Sequence, residues 1–273
     1  MKKTLDYLQQ KKLQQQKITA LTCYDYPTAI LEDRAGIDII FVGDSVGTNI
    51  LGYEDETQVT MDDIVHHLKA VHRGVKESFI LADLPYQSYE TPQQALENAQ
   101  RLVENGADFV KLEGLQQDII ECLIKQNIRV CGHLGLMPQT QSQKAVQGKT
   151  FAQAKEIITN AIKLEKLGVF LLVLELVPEE LGQIITSKLR IPTIGIGSGR
   201  FTDGQVLIVN DILGITPRKL RLARKYQDYQ NLTLETIQQY RQDIQQKSFP
   251  GLENLRNMPK EELVQIQEWI KEK

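Results

Sequence analysis

The sequence is poor in cysteine, in tryptophan and in long apolar runs, and it has no excess of positive charge. Three cysteines, Cys23, Cys122 and Cys131, occur in 273 residues. None forms a C-x-x-C pair and an odd number completes no disulfide framework, so reduced thiols in the cytosol are expected. The longest apolar stretch, Val169 to Val177, is interrupted by Glu175 and is far too short to cross a bilayer. Met1-Lys2-Lys3-Thr4 is basic like the start of a signal peptide, but Asp6, Gln9, Gln10, Lys11 and Lys12 follow where an apolar segment belongs. No membrane association is expected. With 32 basic and 35 acidic residues the formal net charge is -3. That balance argues against a nucleic-acid-binding surface, which normally carries a basic excess. No run of like charge is long enough to form a tail.

What is present is ordinary globular composition, 41% hydrophobic and 25% charged, in a chain long enough to bury a large core. Short apolar runs alternate with amphipathic segments. The runs are Ile18–Leu21, Ile37–Val42, Phe79–Ala82, Phe109–Leu112, Arg129–Gly132, Phe170–Leu174, Thr193–Ile196 and Val206–Val209. Runs that are apolar on both faces suit parallel strands covered by helices. Thr60 is placed to cap a helix reaching about Arg73. Thr91-Pro92 opens a helix that Gly106 closes, and Phe151 to Leu167 forms another that ends at Gly168. The pattern predicts an α/β fold, a (β/α)₈ TIM barrel, with an open doubly wound sheet as the alternative.

The first thirteen or so residues read as a polar helix before the first strand. After Ile215 the alternation stops, and Lys219–Tyr226, Leu234–Gln246 and Lys260–Lys273 read as helices with a break at Phe249-Pro250-Gly251. Residues 1–273 are read as a single barrel domain, with 252–273 as a C-terminal helical extension. Leu263, Ile266 and Ile270, with Trp269 beside them, form an apolar stripe at helical spacing that is expected to pack on a neighbouring element or subunit.

Active sites of such barrels form at the C-terminal ends of the strands. At or just after the ends of the second to sixth runs come Gly43-Asp44-Ser45, Ala82-Asp83-Leu84, Lys111-Leu112-Glu113, Gly132-His133-Leu134 and Leu174-Glu175-Leu176. Five successive strands thus deliver ionisable groups to one rim, where converging carboxylates need a cation or mutual hydrogen bonds. Asp44, Asp83 and Glu113 make an oxygen-rich set suited to Mg²⁺. Singly, each reads equally well as a helix cap or a loop salt bridge. Lys111 shares a strand face with Glu113 and either binds a substrate carboxylate or pairs with that glutamate. His133, followed by a leucine and a glycine, either faces a ligand or is a structural hydrogen bonder. Glu175, in an apolar strand end, is a candidate general acid or base, with a structural ion pair as the plain alternative. Gly195-Ile196-Gly197-Ser198-Gly199 lacks the G-x-G-x-x-G spacing and reads better as a tight turn than as a phosphate loop. His66, His67 and His72 share one helix without cysteine or HExxH company and read as surface or packing residues.

With these residues in view, the sequence resembles the ketopantoate hydroxymethyltransferase family. The resemblance rests on Thr22-Cys23-Tyr24-Asp25-Tyr26, Val42-Gly43-Asp44-Ser45-Val46-Gly47, Leu81-Ala82-Asp83-Leu84-Pro85 and Val110-Lys111-Leu112-Glu113-Gly114. It continues through Cys131-Gly132-His133-Leu134-Gly135-Leu136, Val173-Leu174-Glu175-Leu176-Val177-Pro178 and Gly195 to Gln205, spanning about Ile18 to Gly251. It implies a cytoplasmic barrel enzyme of pantothenate biosynthesis, usually a homodecamer, that moves a hydroxymethyl group from 5,10-methylenetetrahydrofolate to 3-methyl-2-oxobutanoate. By motif, Asp44, Asp83 and Glu113 would hold Mg²⁺. Asp44, Ser45, Asp83 and Lys111 would contact the 2-oxoacid, Glu175 would accept the proton, and Lys111 and His133 would stabilise charge or orient the substrate. Rival readings are a Mg²⁺/enolate lyase resembling the phosphoenolpyruvate mutase and isocitrate lyase group, and a non-catalytic barrel subunit. The loop after Pro138 departs from the family by lacking its glycine pair and being a few residues shorter. The stretch from Leu252 to Lys273 runs past the family's usual end.

Overall fold

A computed structural model describes residues 2–141, 145–216 and 222–273. The chain divides into two compact units, Met1–Gln227 and Asp228–Lys273. The boundary at 252 read from the sequence falls inside the second unit.

In the first unit, among the described residues, eight parallel strands close into a barrel in sequence order. They are β1 (Ile18–Thr22), β2 (Ile39–Val42), β3 (Phe79–Asp83), β4 (Phe109–Glu113), β5 (Val130–Gly135), β6 (Leu171–Glu175), β7 (Thr193–Ile196) and β8 (Gly204–Leu207). The helices of this unit are α1 (Leu5–Leu13), α2 (Tyr26–Arg34), α3 (Met61–Gly74), α4 (Pro92–Glu104), α5 (Gln117–Lys125), α6 (Phe151–Leu167), α7 (Glu179–Lys188) and α8 (Val209–Leu213). The expected caps form. Thr60 and Thr150 each close a capping box, and Thr91 accepts from the Gln94 N–H ahead of Pro92. Gly168, in the left-handed region at φ 97°, ends α6.

The period of two along each strand sorts the core into two sets. One set fills the barrel: Ile18, Ala20, Ile39, Phe41, Phe79, Leu81, Phe109, Cys131, Leu171, Val173, Ile194 and Val206. The alternate residues, such as Ile40, Val42, Ile80, Ala82, Val110, Leu112, Val130, Leu172 and Leu174, face the surrounding helices. Both faces are buried, which is why the strands read as continuous apolar runs. Leu8 of α1 joins the inner set and is fully buried, so this helix plugs the N-terminal end of the barrel.

Several boundaries differ from the sequence reading, among them the start of the second strand at Ile39 rather than Ile37, the end of the fifth at Gly135 rather than Gly132, and a helix that starts at Tyr229 rather than Leu234. The last strand is Gly204–Leu207 rather than Val206–Val209, because its backbone pairs with Ile18–Leu21 to close the barrel. Val209 instead opens α8. For the helix expected over Lys219–Tyr226, residues 217–221 lie outside the described residues, and 222–226 are not helical. The second unit contains α9 (Tyr229–Gln245) and α10 (Lys260–Lys271), on either side of Phe249-Pro250-Gly251. Neither helix buries a residue, and Leu263, Ile266, Trp269 and Ile270 are all exposed. Among the described residues, no helix is long and apolar enough to cross a membrane.

Candidate active site

The inward rows of the strands turn polar at their C-terminal ends. Phe79 and Leu81 lead to Asp83 on β3, Phe109 to Lys111 and Glu113 on β4, Cys131 to His133 on β5, and Leu171 and Val173 to Glu175 on β6. Strand register sets their order around the rim. Asp83 lies beside Lys111, Glu113 beside His133, and Gly135 beside Glu175. Asp44 and Ser45 follow β2 in a turn that leads into a π-helical segment, Gly47–Leu51. All of the named candidates, Asp44, Ser45, Asp83, Lys111, Glu113, His133 and Glu175, line one cavity of about 360 Å³.

The packing is close. Gly135 has φ 100°, and a Cβ there would come within 2.1 Å of the Glu175 carbonyl oxygen, so only glycine lets β5 and β6 meet beneath the rim. At the adjoining turn, Gly199 has φ 76° and a Cβ on it would run into the Glu179 side chain. The glycine segment therefore serves as a tight turn.

Lys111 pairs with Asp83, not with Glu113: its Nζ lies 2.7 Å from Asp83 Oδ1. Burial opposes the charge on Lys111, yet Asp83, Asp44 and Glu113 outweigh it and hold the ammonium above its ordinary range. Asp83 also accepts from the backbone N–H of Asp44 at 2.9 Å. Burial pushes Asp83 up to about 7 against the pull of Lys111, and the neighbouring Asp44 adds to the rise. Burial likewise pushes Glu113 up to about 8, against Lys111. His133 is buried, with Nδ1 3.6 Å from Glu113 and Nε2 3.3 Å from Glu175, and neither nitrogen makes a well-formed hydrogen bond. Burial and Lys111 hold it below the usual imidazole range, so it is neutral at pH 7. Glu175 is the more open member, its side chain 20% exposed at the mouth.

Among the described residues, no three Asp, Glu, His or Cys side chains converge tightly enough to enclose a metal ion by themselves. The donor set nonetheless fits Mg²⁺. Asp44 and Asp83 are adjacent oxygen donors in one cavity, and Mg²⁺ typically takes one or two carboxylates and completes its shell with water and substrate oxygens. Asp44, Asp83, Glu113 and Glu175 face a single lysine in this cavity, and burial is the main cause that lifts Asp83 and Glu113, with the charge on Asp44 adding to it.

Two partners escaped the sequence reading. Tyr24 OH lies 2.8 Å from Ser45 Oγ, and Gln139, from the loop after β5, is buried against Asp44 and Glu113. Tyr24 sits in a quoted stretch, but a glutamine in a polar loop carries no signal of its own. The three helix histidines stay outside the cavity, with His67 Nδ1 2.6 Å from the Tyr24 carbonyl oxygen.

A family model for ketopantoate hydroxymethyltransferase matches residues 2–252. The chain belongs to the ketopantoate hydroxymethyltransferase family. Its relatives in that family include the 3-methyl-2-oxobutanoate hydroxymethyltransferase of Thermoanaerobacter sp. (strain X514), 45% identical over 93% of this chain and 96% of that one. That of Dehalococcoides mccartyi (strain ATCC BAA-2100 / JCM 16839 / KCTC 5957 / BAV1) is 42% identical over 99% of this chain and 100% of its own length. The fold is also that of a phosphonopyruvate hydrolase solved with oxalate and Mg²⁺, at 10% identity and a TM-score of 0.60 over 99% of this chain and 97% of that one. Family members are thus recognised by sequence, while the hydrolase shares the barrel alone.

Proposed function

We propose that this chain is a 3-methyl-2-oxobutanoate hydroxymethyltransferase, using 5,10-methylenetetrahydrofolate as one-carbon donor and Mg²⁺ as cofactor to make 2-dehydropantoate. The observation that carries the reading is the convergence of Asp44, Asp83, Lys111, Glu113, His133 and Glu175 on one cavity in a chain of this family. Asp44, Asp83 and Glu113 would hold the metal. A bound Mg²⁺ would supply Lewis-acid stabilisation of charge developing on the 2-oxo oxygen. Lys111, buried and held charged, neutralises the substrate carboxylate, and Ser45, fixed by Tyr24, orients it. Glu175 removes the C3 proton. The resulting enolate carbon bonds to the one-carbon unit, water supplies the hydroxyl oxygen, and tetrahydrofolate leaves. His133, neutral and with nitrogens unmatched by the protein, would orient the substrate or stabilise charge on it.

The family resemblance also supports a cytoplasmic homodecamer, which sedimentation would measure. The chemistry is tested by following 2-dehydropantoate formation from the two substrates with Mg²⁺ and after chelation. Activity should vanish on chelation and return with Mg²⁺. Asp83→Ala should lose about 10³-fold or more while keeping its circular dichroism, since a Lewis acid contributes several kcal/mol. Full turnover by Asp83→Ala at low Mg²⁺ would remove the metal assignment.

A further inference from the structure

We infer that Gln139 is the positioning residue that orders the carboxylates of this site for a divalent cation. The inference rests on the metal reading above and extends it to a residue outside the three acids.

Gln139 is 3% exposed, and its side-chain amide and backbone N–H are all hydrogen-bonded. Its Nε2 donates to Asp44 Oδ2 at 2.8 Å and to the Leu84 carbonyl at 3.1 Å. Its backbone N–H donates to Glu113, at 3.2 Å to Oε2. Its Oε1 accepts from the hydroxyl of Tyr89. The amide orientation is thereby determined, because the opposite one would set oxygen against the Asp44 carboxylate and the Leu84 carbonyl. One residue from the loop after β5 thus joins the segments that follow β2 and β3 to the end of β4.

The physical consequence is directional. Occupation of Asp44 Oδ2 by the amide fixes the plane of that carboxylate and leaves Oδ1 for another partner. The backbone donor on Glu113 does the same one strand further round. Without that amide donor, no hydrogen bond to Asp44 Oδ2 among the described residues would hold the carboxylate in this orientation beside Asp83 and Lys111. Neutral donors supply geometry without cancelling the charge that attracts a cation. Outer partners of this kind typically govern about 10–100-fold in metal affinity.

Gln139→Met keeps the length and bulk of the side chain and the backbone N–H to Glu113, and it removes the amide. The probe is Mn²⁺, titrated into the full chain by electron paramagnetic resonance and displaced with Mg²⁺. Gln139→Met should bind Mn²⁺ about 10–100-fold more weakly than wild type. The Mg²⁺ concentration for half-maximal turnover should rise by a larger factor than kcat falls, a split that a general loss of structure does not produce. Tyr89→Phe, which deletes only the hydroxyl on Oε1, should shift the affinity in the same direction by less. If Gln139→Met does not fold, Tyr89→Phe and Gln139→Asn carry the test. Mn²⁺ affinity equal to wild type in folded variants overturns the inference. Failure of the wild type itself to bind Mn²⁺, or binding by Asp83→Ala as tight as wild type, overturns the metal reading beneath it.

Discussion

At the N-terminal end of the barrel, Asp38 accepts from Lys3, Lys11, the Tyr7 hydroxyl and both the N–H and hydroxyl of Thr19. Asp203 there accepts on Oδ2 from Lys12 at 2.7 Å and from the N–H and hydroxyl of Thr193. At the C-terminal end, the lysine Lys111 pairs with Asp83 and leaves Glu113 without a cationic lysine partner, and His133 has both nitrogens unmatched. The same resource, buried charge on strand ends, is spent in opposite ways. At the closed end Asp38 and Asp203 both have donors from α1, which ties that helix across the barrel floor. At the open end, groups are held in states they would not choose in water, as expected where an ionic substrate and a cation complete the set.

The acid–base behaviour of the two ends should differ in sign. Burial opposes ionisation of Asp38, but Lys11, Thr19 and Tyr7 more than compensate and hold it below the usual carboxylate range. Its stabilisation is therefore present above the unfolded value near 4 and is lost as pH falls through the lower folded one. Glu113 and Asp83 are raised, to about 8 and about 7. They favour the folded state most below their unfolded values near 4, and that contribution drains away as pH climbs toward 7 to 8.

The largest effect expected on this contrast is from Asp38→Ala, which strands Lys11, Lys3 and the Thr19 N–H at the floor. It should cost about 3–5 kcal/mol in denaturant unfolding, as for breaking a buried pair, and retain turnover below its melting temperature. A loss under 1 kcal/mol would erase the difference between the two ends. A smaller effect is expected from Glu113→Gln. At pH 7 without metal the wild-type carboxyl is largely protonated, so the amide should leave stability within about 1 kcal/mol of wild type and flatten its decline between pH 4 and 8. Destabilisation as large as that of Asp38→Ala would show the open rim to be structural after all.

Much of this contrast was legible in advance at one end only. The barrel and the rim acids could be read because strand ends alternate predictably: Phe79-x-Leu81-x-Asp83 places a carboxylate in line with two core residues. The floor was missed because Asp38 and Asp203 sit before their strands, in segments whose partners come from a helix with no apolar periodicity. The start of β8 was missed for a different reason. Gly204 and Gln205 carry no apolar signal, yet Gly204 has to lack a Cβ because the Ile18 carbonyl oxygen would lie 2.5 Å from it. Gln139 was illegible because its role comes from where its loop returns to, not from its residue type. The pairing of Lys111 with Asp83 rather than Glu113 follows from strand register, which sequence spacing along one strand does not contain.

The claim that the unmatched rim is built for proton transfer is tested most directly by hydrogen exchange at C3 of 3-methyl-2-oxobutanoate in deuterated water with Mg²⁺, a half-reaction that needs no folate. Glu175, at the mouth and partly open to solvent, is the proposed base, which would take the substrate proton and pass it to water. Glu175→Gln should still bind Mg²⁺ and the 2-oxoacid but exchange about 10²–10⁴-fold more slowly, the range for loss of a positioned base. His133→Asn, measured alongside, should retain most of the exchange. Wild-type exchange by Glu175→Gln, together with its loss in His133→Asn, would assign the base to His133 and contradict the account.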